Sequence, residues 1–334
     1  MPQPWGLLIL FTLAIVMLSL WGGVMTALQA LRPPRKYFAW ALATGRPKDP
    51  SELGLQFDEC EFSSGQHHPL PAWRIKGNAT HSNAPILVML HGWGRSRWDS
   101  LTRVEPFRNA CSEIVLLDLP AHGEHLGAWS ALGVHEPACV VQALHELAHQ
   151  FPNRPFLLAG HSMGAGIAIR AANLAANEFV LMVEKNIDHV PANAVSNSKG
   201  NPHTNAPFTP TISIAGVIAF APYSTLRSPI PARLVLQNLP AWPFAPIAFL
   251  TLRILGRMDG PLEKDAHELS APLLVMAGDH DPISPLADAR KISSAAPRGT
   301  LIVLPYQRHD DLRLGDAQQF DRALANFLNS ITEP

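Results

Sequence analysis

The stretch around Ser162 constrains this chain more than any other. Phe156-Leu157-Leu158-Ala159 is a short apolar run, Gly160-His161-Ser162-Met163-Gly164 follows directly, and Ala165-Gly166-Ile167-Ala168-Ile169 begins a helical pattern. A buried strand that enters a helix with no loop between them must turn sharply at the serine. Such a turn holds the serine backbone under strain and leaves its hydroxyl exposed at the carboxyl edge of a sheet. Gly160 and Gly164 flank it because a Cβ at either place would collide with the neighbouring strand or helix. The N–H of Met163, at the helix start, points toward negative charge developing beside Ser162.

The rest of the chain fits the sheet that this turn demands. Strands are predicted at Gln56–Phe62, Pro71–Ile75, Ile86–His91, Ile114–Leu119, Phe156–Ala159, Ile214–Ala221, Leu273–Ala277 and Leu301–Leu304. Several are continuous Val/Ile/Leu runs, as strands buried on both faces should be. Helical patterns fall at Glu136–Phe151 and from Gly164 to about Asn177. The expected fold is therefore α/β, a mostly parallel eight-stranded sheet with helices on both faces and an antiparallel start. Residues 184–210 read as a long polar surface loop. Residues 226–271, apolar and Pro-rich, read as a cap between the sixth and seventh strands. Within it, Leu239–Leu252 carries no charge but is too short to span a bilayer.

Composition matters at one point. Only 16% of residues are charged, against about 25% in typical soluble domains. The deficit is concentrated between Trp5 and Leu31, 27 residues without a charged side chain. As a helix that stretch is roughly 40 Å long, enough to cross a hydrocarbon core of about 30 Å. A cleaved signal peptide is the rival reading, but no basic segment precedes the apolar run. We therefore expect a membrane anchor at 5–31, a linker over 32–50 that starts with the stiff Arg32-Pro33-Pro34-Arg35, and one domain over 51–334. Arg32, Arg35, Lys36, Arg46 and Lys48 follow the span, so the body is expected on the cytoplasmic face. Three cysteines make no disulfide framework. A net charge of −1 argues against nucleic acid as a partner.

A nucleophilic serine needs a base, and the base needs an acid to orient it. Past the seventh strand lie Gly278-Asp279-His280-Asp281, and past the eighth lies His309. The chain order serine, acid, histidine suits this kind of sheet, and all three would project from one edge. These motifs resemble those of the alpha/beta hydrolase superfamily over about residues 55–330, in particular serine esterases, monoacylglycerol-lipase-like enzymes and serine aminopeptidases. The resemblance implies Ser162 as nucleophile, His309 as general base and Asp281 as acid, with Asp279 as competitor for the last role. It also implies an oxyanion hole from the Trp93 and Met163 N–H groups, since His91-Gly92-Trp93 matches the family's H-G-x loop, where His91 would brace the loop. Asp118-Leu119-Pro120-Ala121-His122-Gly123-Glu124-His125 resembles the family's D-x-P-G-H-G-x-S segment, with Ala121 for Gly and His125 for Ser.

A rival motif is His145-Glu146-Leu147-Ala148-His149, a literal H-E-x-x-H. Helical phase weighs against zinc chemistry there. The apolar stripe centres on Leu144, and His145 and His149 fall about 100° and 140° from it, toward solvent. No metal and no cofactor are expected: there is no Rossmann glycine pattern, Walker A lysine or C-x-x-C. The expected reaction is cleavage of a small-molecule acyl ester or thioester at the membrane. Two alternatives stay open. One is an aminopeptidase-like amide hydrolase, with Glu263, Asp265 and Glu268 as its acidic cluster, and the other is a non-catalytic membrane-tethered binding module.

Overall fold

A computed structural model describes residues 4–65, 68–187, 211–310 and 312–332. In chain order it places α1 (Pro4–Leu31), α2 (Phe38–Ala43), β1 (Phe57–Phe62), β2 (Leu70–Lys76), β3 (Ile86–Leu90) and α3 (Arg97–Leu101). Then come β4 (Glu113–Leu117), α4 (Glu136–Gln150), β5 (Phe156–His161), α5 (Met163–Ile187) and β6 (Ile214–Phe220). The chain closes with α6 (Pro229–Leu236), α7 (Ala241–Ile254), α8 (Leu262–His267), β7 (Leu273–Gly278), α9 (Leu286–Ala295), β8 (Gly299–Leu304) and α10 (Ala317–Thr332). All eight expected strands form. Helix α5 runs past the expected end near Asn177, because neither Gly nor Pro interrupts the sequence between Gly166 and Pro191. The expected surface loop lies, from residue 188, outside the described residues.

The strands make one sheet in the order β1-β2-β4-β3-β5-β6-β7-β8. β2 runs antiparallel to both β1 and β4, and every other pairing is parallel. Alternation along the strands feeds two cores. Ile86, Val88 and Leu90 of β3 pack with α4, α5, α8 and α9, while Leu87 and Met89 pack on the opposite face with α2, α3 and α10. Helices cover both faces, so the central strands are buried along their whole length, which is why they read as unbroken apolar runs. The direction of connection reverses beside β3, which leads to β4 on one side and has β5 on the other. Open α/β sheets place their clefts at such a point.

A third core lies off the sheet. Ala27 and Leu31 of α1 pack with Ile230 and Leu234 of α6, with Ala245, Ala248 and Leu252 of α7, and with Leu132. The glycine pair of α1 permits this approach. A Cβ on Gly22 would lie 2.5 Å from the Phe244 ring, and one on Gly23 would lie 2.4 Å from Ile247. Upstream the helix stands clear, with large apolar side chains exposed from Trp5 to Trp21. From Gly22 onward, about the last third of its length, the helix therefore packs on α6 and α7. The stretch beyond it is likewise seated on the body. Ala41 of α2 is fully buried, and Lys36 pairs with Asp99 at 3.0 Å.

Candidate active site

β5 ends at His161 and α5 begins at Met163, leaving Ser162 alone at the turn with φ +56°. That left-handed conformation is one an L-residue adopts only when its surroundings impose it. The Ser162 N–H donates to the Phe220 carbonyl of β6 at 2.8 Å, tying the turn to the sheet. A Cβ on Gly160 would sit 2.1 Å from the Gly164 carbonyl oxygen, and one on Gly164 would sit 2.3 Å from that of Leu90. Backbone, not side chain, blocks both places. Gly164→Ala is expected to cost about 2–3 kcal/mol of stability, visible as a lowered midpoint in thermal unfolding. An unchanged midpoint would show that β3 and α5 are not held this closely.

Asp281 lies in the turn after β7 and His309 in the turn after β8. Asp281 Oδ1 accepts the N–H groups of Ile283 (2.8 Å) and Ser284 (2.9 Å), which fixes the carboxylate. Its Oδ2 lies 2.7 Å from His309 Nδ1, and His309 Nε2 lies 2.9 Å from Ser162 Oγ. All three residues are buried. Behind them, His161 Nε2 lies 2.7 Å from the His309 carbonyl, which positions the histidine backbone. The continuous chain from carboxylate to imidazole to hydroxyl allows the imidazole to take the hydroxyl proton while the carboxylate stabilises the imidazolium. Asp279 does not join this chain: it accepts the Tyr306 N–H and pairs with His280, both at 2.6 Å, on the surface.

Gly92 follows β3 and faces the elbow, its absent Cβ only 3.3 Å from Ser162 Cβ. The backbone N–H groups of Trp93 and Met163, the latter among the unpaired donors of a helix start, have no acceptor among the described residues. His91 braces this loop. Its Nε2 accepts the Leu119 N–H at 3.0 Å, which leaves Nδ1–H to donate to the Gly92 carbonyl at 2.9 Å. Ala121, where the resembling families carry Gly, takes φ +68°, so the departure is accommodated at the cost of a left-handed alanine, about 1 kcal/mol.

Burial pushes the His91 and His125 pKa values down to about 4, and those of His122 and His161 well below the usual value. These histidines are neutral in the folded protein and titrate near pH 6.5 once unfolded. Their contribution to stability is complete above about pH 6.5 and is lost as pH falls toward about 4. His91 alone is expected to remove about 1.4 kcal/mol per pH unit through that window. Urea unfolding at pH 7 and pH 5 tests this; equal midpoints would contradict neutral burial.

Three cavities reach Ser162, and two of them differ sharply in character. The first is lined by Ala30, Trp93, Leu132, Leu226, Ile230 and Leu234 among others, with Thr26 and Gln29 of α1 at its wall. The second is lined by His309, Asp310, Lys36, Arg95 and Arg233 around Gly92. The Trp93 indole N–H donates to the Ala30 carbonyl at 2.7 Å, joining the loop after β3 to α1. Sequence reasoning missed Arg233 and the α1 residues. A signal for Arg233 was present: it is the only charged residue from Ser228 to Leu252.

The rival motifs stay outside. Glu146 accepts the Ser63 N–H at 2.8 Å, and His149 is exposed. Among the described residues no group of three His, Cys, Asp or Glu could hold a metal ion. In the acidic cluster, Asp265 pairs with Arg170 at 2.9 Å and Glu263 accepts from Ser224 Oγ.

Comparison with known proteins adds four findings. The family model described as alpha/beta hydrolase matches residues 87–323. No curated protein sequence matches the chain. A Pyrococcus furiosus esterase superposes with a TM-score of 0.65 at 18% identity, covering 91% of this chain and 99% of its own. A bacterial membrane phospholipase A superposes with a TM-score of 0.53 at 15% identity, covering 99% of this chain and 98% of its own. At such identities the likeness is one of fold.

Proposed function

This chain belongs to the alpha/beta hydrolase family, and from that premise we propose a membrane-anchored serine hydrolase that cleaves carboxylic ester or thioester bonds of acyl substrates. The observation that carries the reading is the bonded chain Asp281–His309–Ser162, with the serine held at a strained turn. In this reading His309 Nε2 takes the Ser162 proton as Oγ attacks the carbonyl carbon. The tetrahedral oxyanion sits against the Trp93 and Met163 N–H groups, and Asp281 stabilises the imidazolium. His309 then protonates the departing alcohol or thiol. Water repeats the cycle on the acyl-enzyme and releases the acid.

Acyl substrates suit the apolar chamber beside Ser162, walled by the cap and by α1. The solved bacterial protein named a membrane phospholipase A aligns along 99% of this chain, which supports including the N-terminal helix in the comparison. The exposed stretch of α1, Trp5 to Trp21, is 17 residues, about 26 Å as a helix. Tryptophans at both of its ends suit the two interfaces of a bilayer. We assign the anchor to 5–31, the connection to 32–50 and the hydrolase domain to 51–334 with its cap at 226–271. The body then lies on the cytoplasmic face, with exposed Leu236, Trp242, Leu250 and Ile254 of the cap at the membrane surface.

Labelling with a fluorophosphonate tests the chemistry. The expected result is labelling of Ser162 that a metal chelator does not diminish. Well-folded protein that takes no label would overturn the reading. A reporter fused after Pro334 tests topology: activity confined to the cytoplasm is expected, and activity across the membrane would reverse the orientation.

A further inference from the structure

We propose that Arg233 is a binding site for an anionic group on the alcohol side of the scissile bond. The substrate would be an acyl ester whose leaving alcohol carries a phosphate or similar oxyanion. The proposal rests on the reading of Ser162 as nucleophile and goes beyond it by naming what the second chamber holds.

The first observation is that Arg233 lacks a counter-ion among the described residues. The other partly buried arginines near the cleft are paired: Arg95 with Asp99 and Asp310, Arg97 with Asp118 and Glu124, Arg170 with Asp259 and Asp265. Arg233 makes no ion pair and no side-chain hydrogen bond among the described residues. It lies over the face of Trp93, with the guanidinium 4.5 Å from the ring centre. The carboxylates in its surroundings are committed elsewhere, Asp281 to His309 and Asp310 to Arg95. Burial lowers its pKa, as loss of hydration around a guanidinium does. A partly desolvated cation without a partner is costly, and a bound anion would relieve that cost.

The second observation is location. Arg233 lines the polar chamber together with Ser162 and His309, and it also borders the apolar one. The two chambers join at the nucleophile, so a bound ester would have its acyl chain in the apolar chamber and its alcohol in the polar one. Trp93 holds the guanidinium by its face, leaving the planar fork of N–H donors for a phosphate or carboxylate. Attack at Ser162 then transfers the acyl group to Oγ. The anionic alcohol leaves with a proton from His309, and water cleaves the acyl-enzyme to the carboxylic acid.

The test compares 1-oleoylglycerol 3-phosphate with 1-oleoylglycerol, at equal mole fraction in neutral detergent micelles, using the full-length protein. Wild type is expected to favour the phosphate-bearing ester by about tenfold or more in kcat/KM, the scale of one charge-assisted contact. Arg233→Met should lower that ratio about tenfold, and Arg233→Lys should restore most of it. A wild-type ratio below about three overturns the proposal even if the variants do not fold. Equal losses on both esters in Arg233→Met also overturn it, since they would make Arg233 only a brace for the Trp93 loop. If wild type neither turns over an ester nor takes the fluorophosphonate label, the hydrolase reading falls and takes this subsite with it.

Discussion

Ser162→Ala is expected to lower kcat for a p-nitrophenyl ester by about 10⁴-fold or more, and His309→Ala by a similar factor. The double variant should be hardly worse than either single one. That non-additivity follows from the geometry. The hydroxyl is a useful nucleophile only while the imidazole 2.9 Å away can take its proton, so removing either partner removes the same step. Asp281→Asn should also cost about 10⁴-fold, because its oxygen stays on the Ile283 and Ser284 N–H groups and its NH2 then faces His309 Nδ1, forcing the tautomer whose Nε2 is already protonated. Initial rates with purified protein, beside unfolding curves that show each variant folded, provide the check. A Ser162→Ala protein that keeps a tenth of wild-type activity would place the chemistry elsewhere.

Removing residues 1–31 is expected to lower kcat/KM for a long-chain ester by roughly 10²-fold even in detergent, where no membrane tether is needed. The deletion takes Thr26, Gln29 and Ala30 out of the wall of the apolar chamber. It also frees Trp93, whose indole donates to the Ala30 carbonyl, and Trp93 supplies one of the two proposed oxyanion donors. A displacement of about 1 Å in such a group is enough for a loss of that size. Exchanging Trp5–Trp21 for an unrelated apolar sequence should leave activity in detergent unchanged, because those side chains face away from the body. Gly23→Leu separates the two roles inside one helix. Its side chain would collide with Ile247, so activity should fall about tenfold while the protein stays in the membrane fraction. Full activity of the 1–31 deletion in detergent would show the helix to be a tether only.

The sheet was legible because its strands are buried on both faces. Burial of that kind leaves short, continuous apolar runs, and eight of them stand out between polar or helical segments. The elbow was legible because close packing of backbone against backbone excludes a Cβ at Gly160 and Gly164 and so leaves its mark on residue type. Residues that act through a partner from a distant part of the chain leave fainter marks. Asp279 and Asp281 are two residues apart and chemically alike. The turn after β7 directs one toward Tyr306 and His280 and the other toward His309. The H-E-x-x-H pattern failed the test of helical phase, and α4 indeed leaves His149 exposed.

By itself the sequence determined the class of fold, the order of its strands along the chain, and the apolar character of the first helix. Each depends on local hydropathy or on a local steric demand, which a linear chain records directly. Only the tertiary structure decided that this helix also walls the chamber at Ser162, and that Arg233 reaches the same place with no counter-ion among the described residues. Both depend on which surfaces meet across two hundred residues of chain. Hydropathy records that a side chain is apolar or charged, but not what it will be packed against.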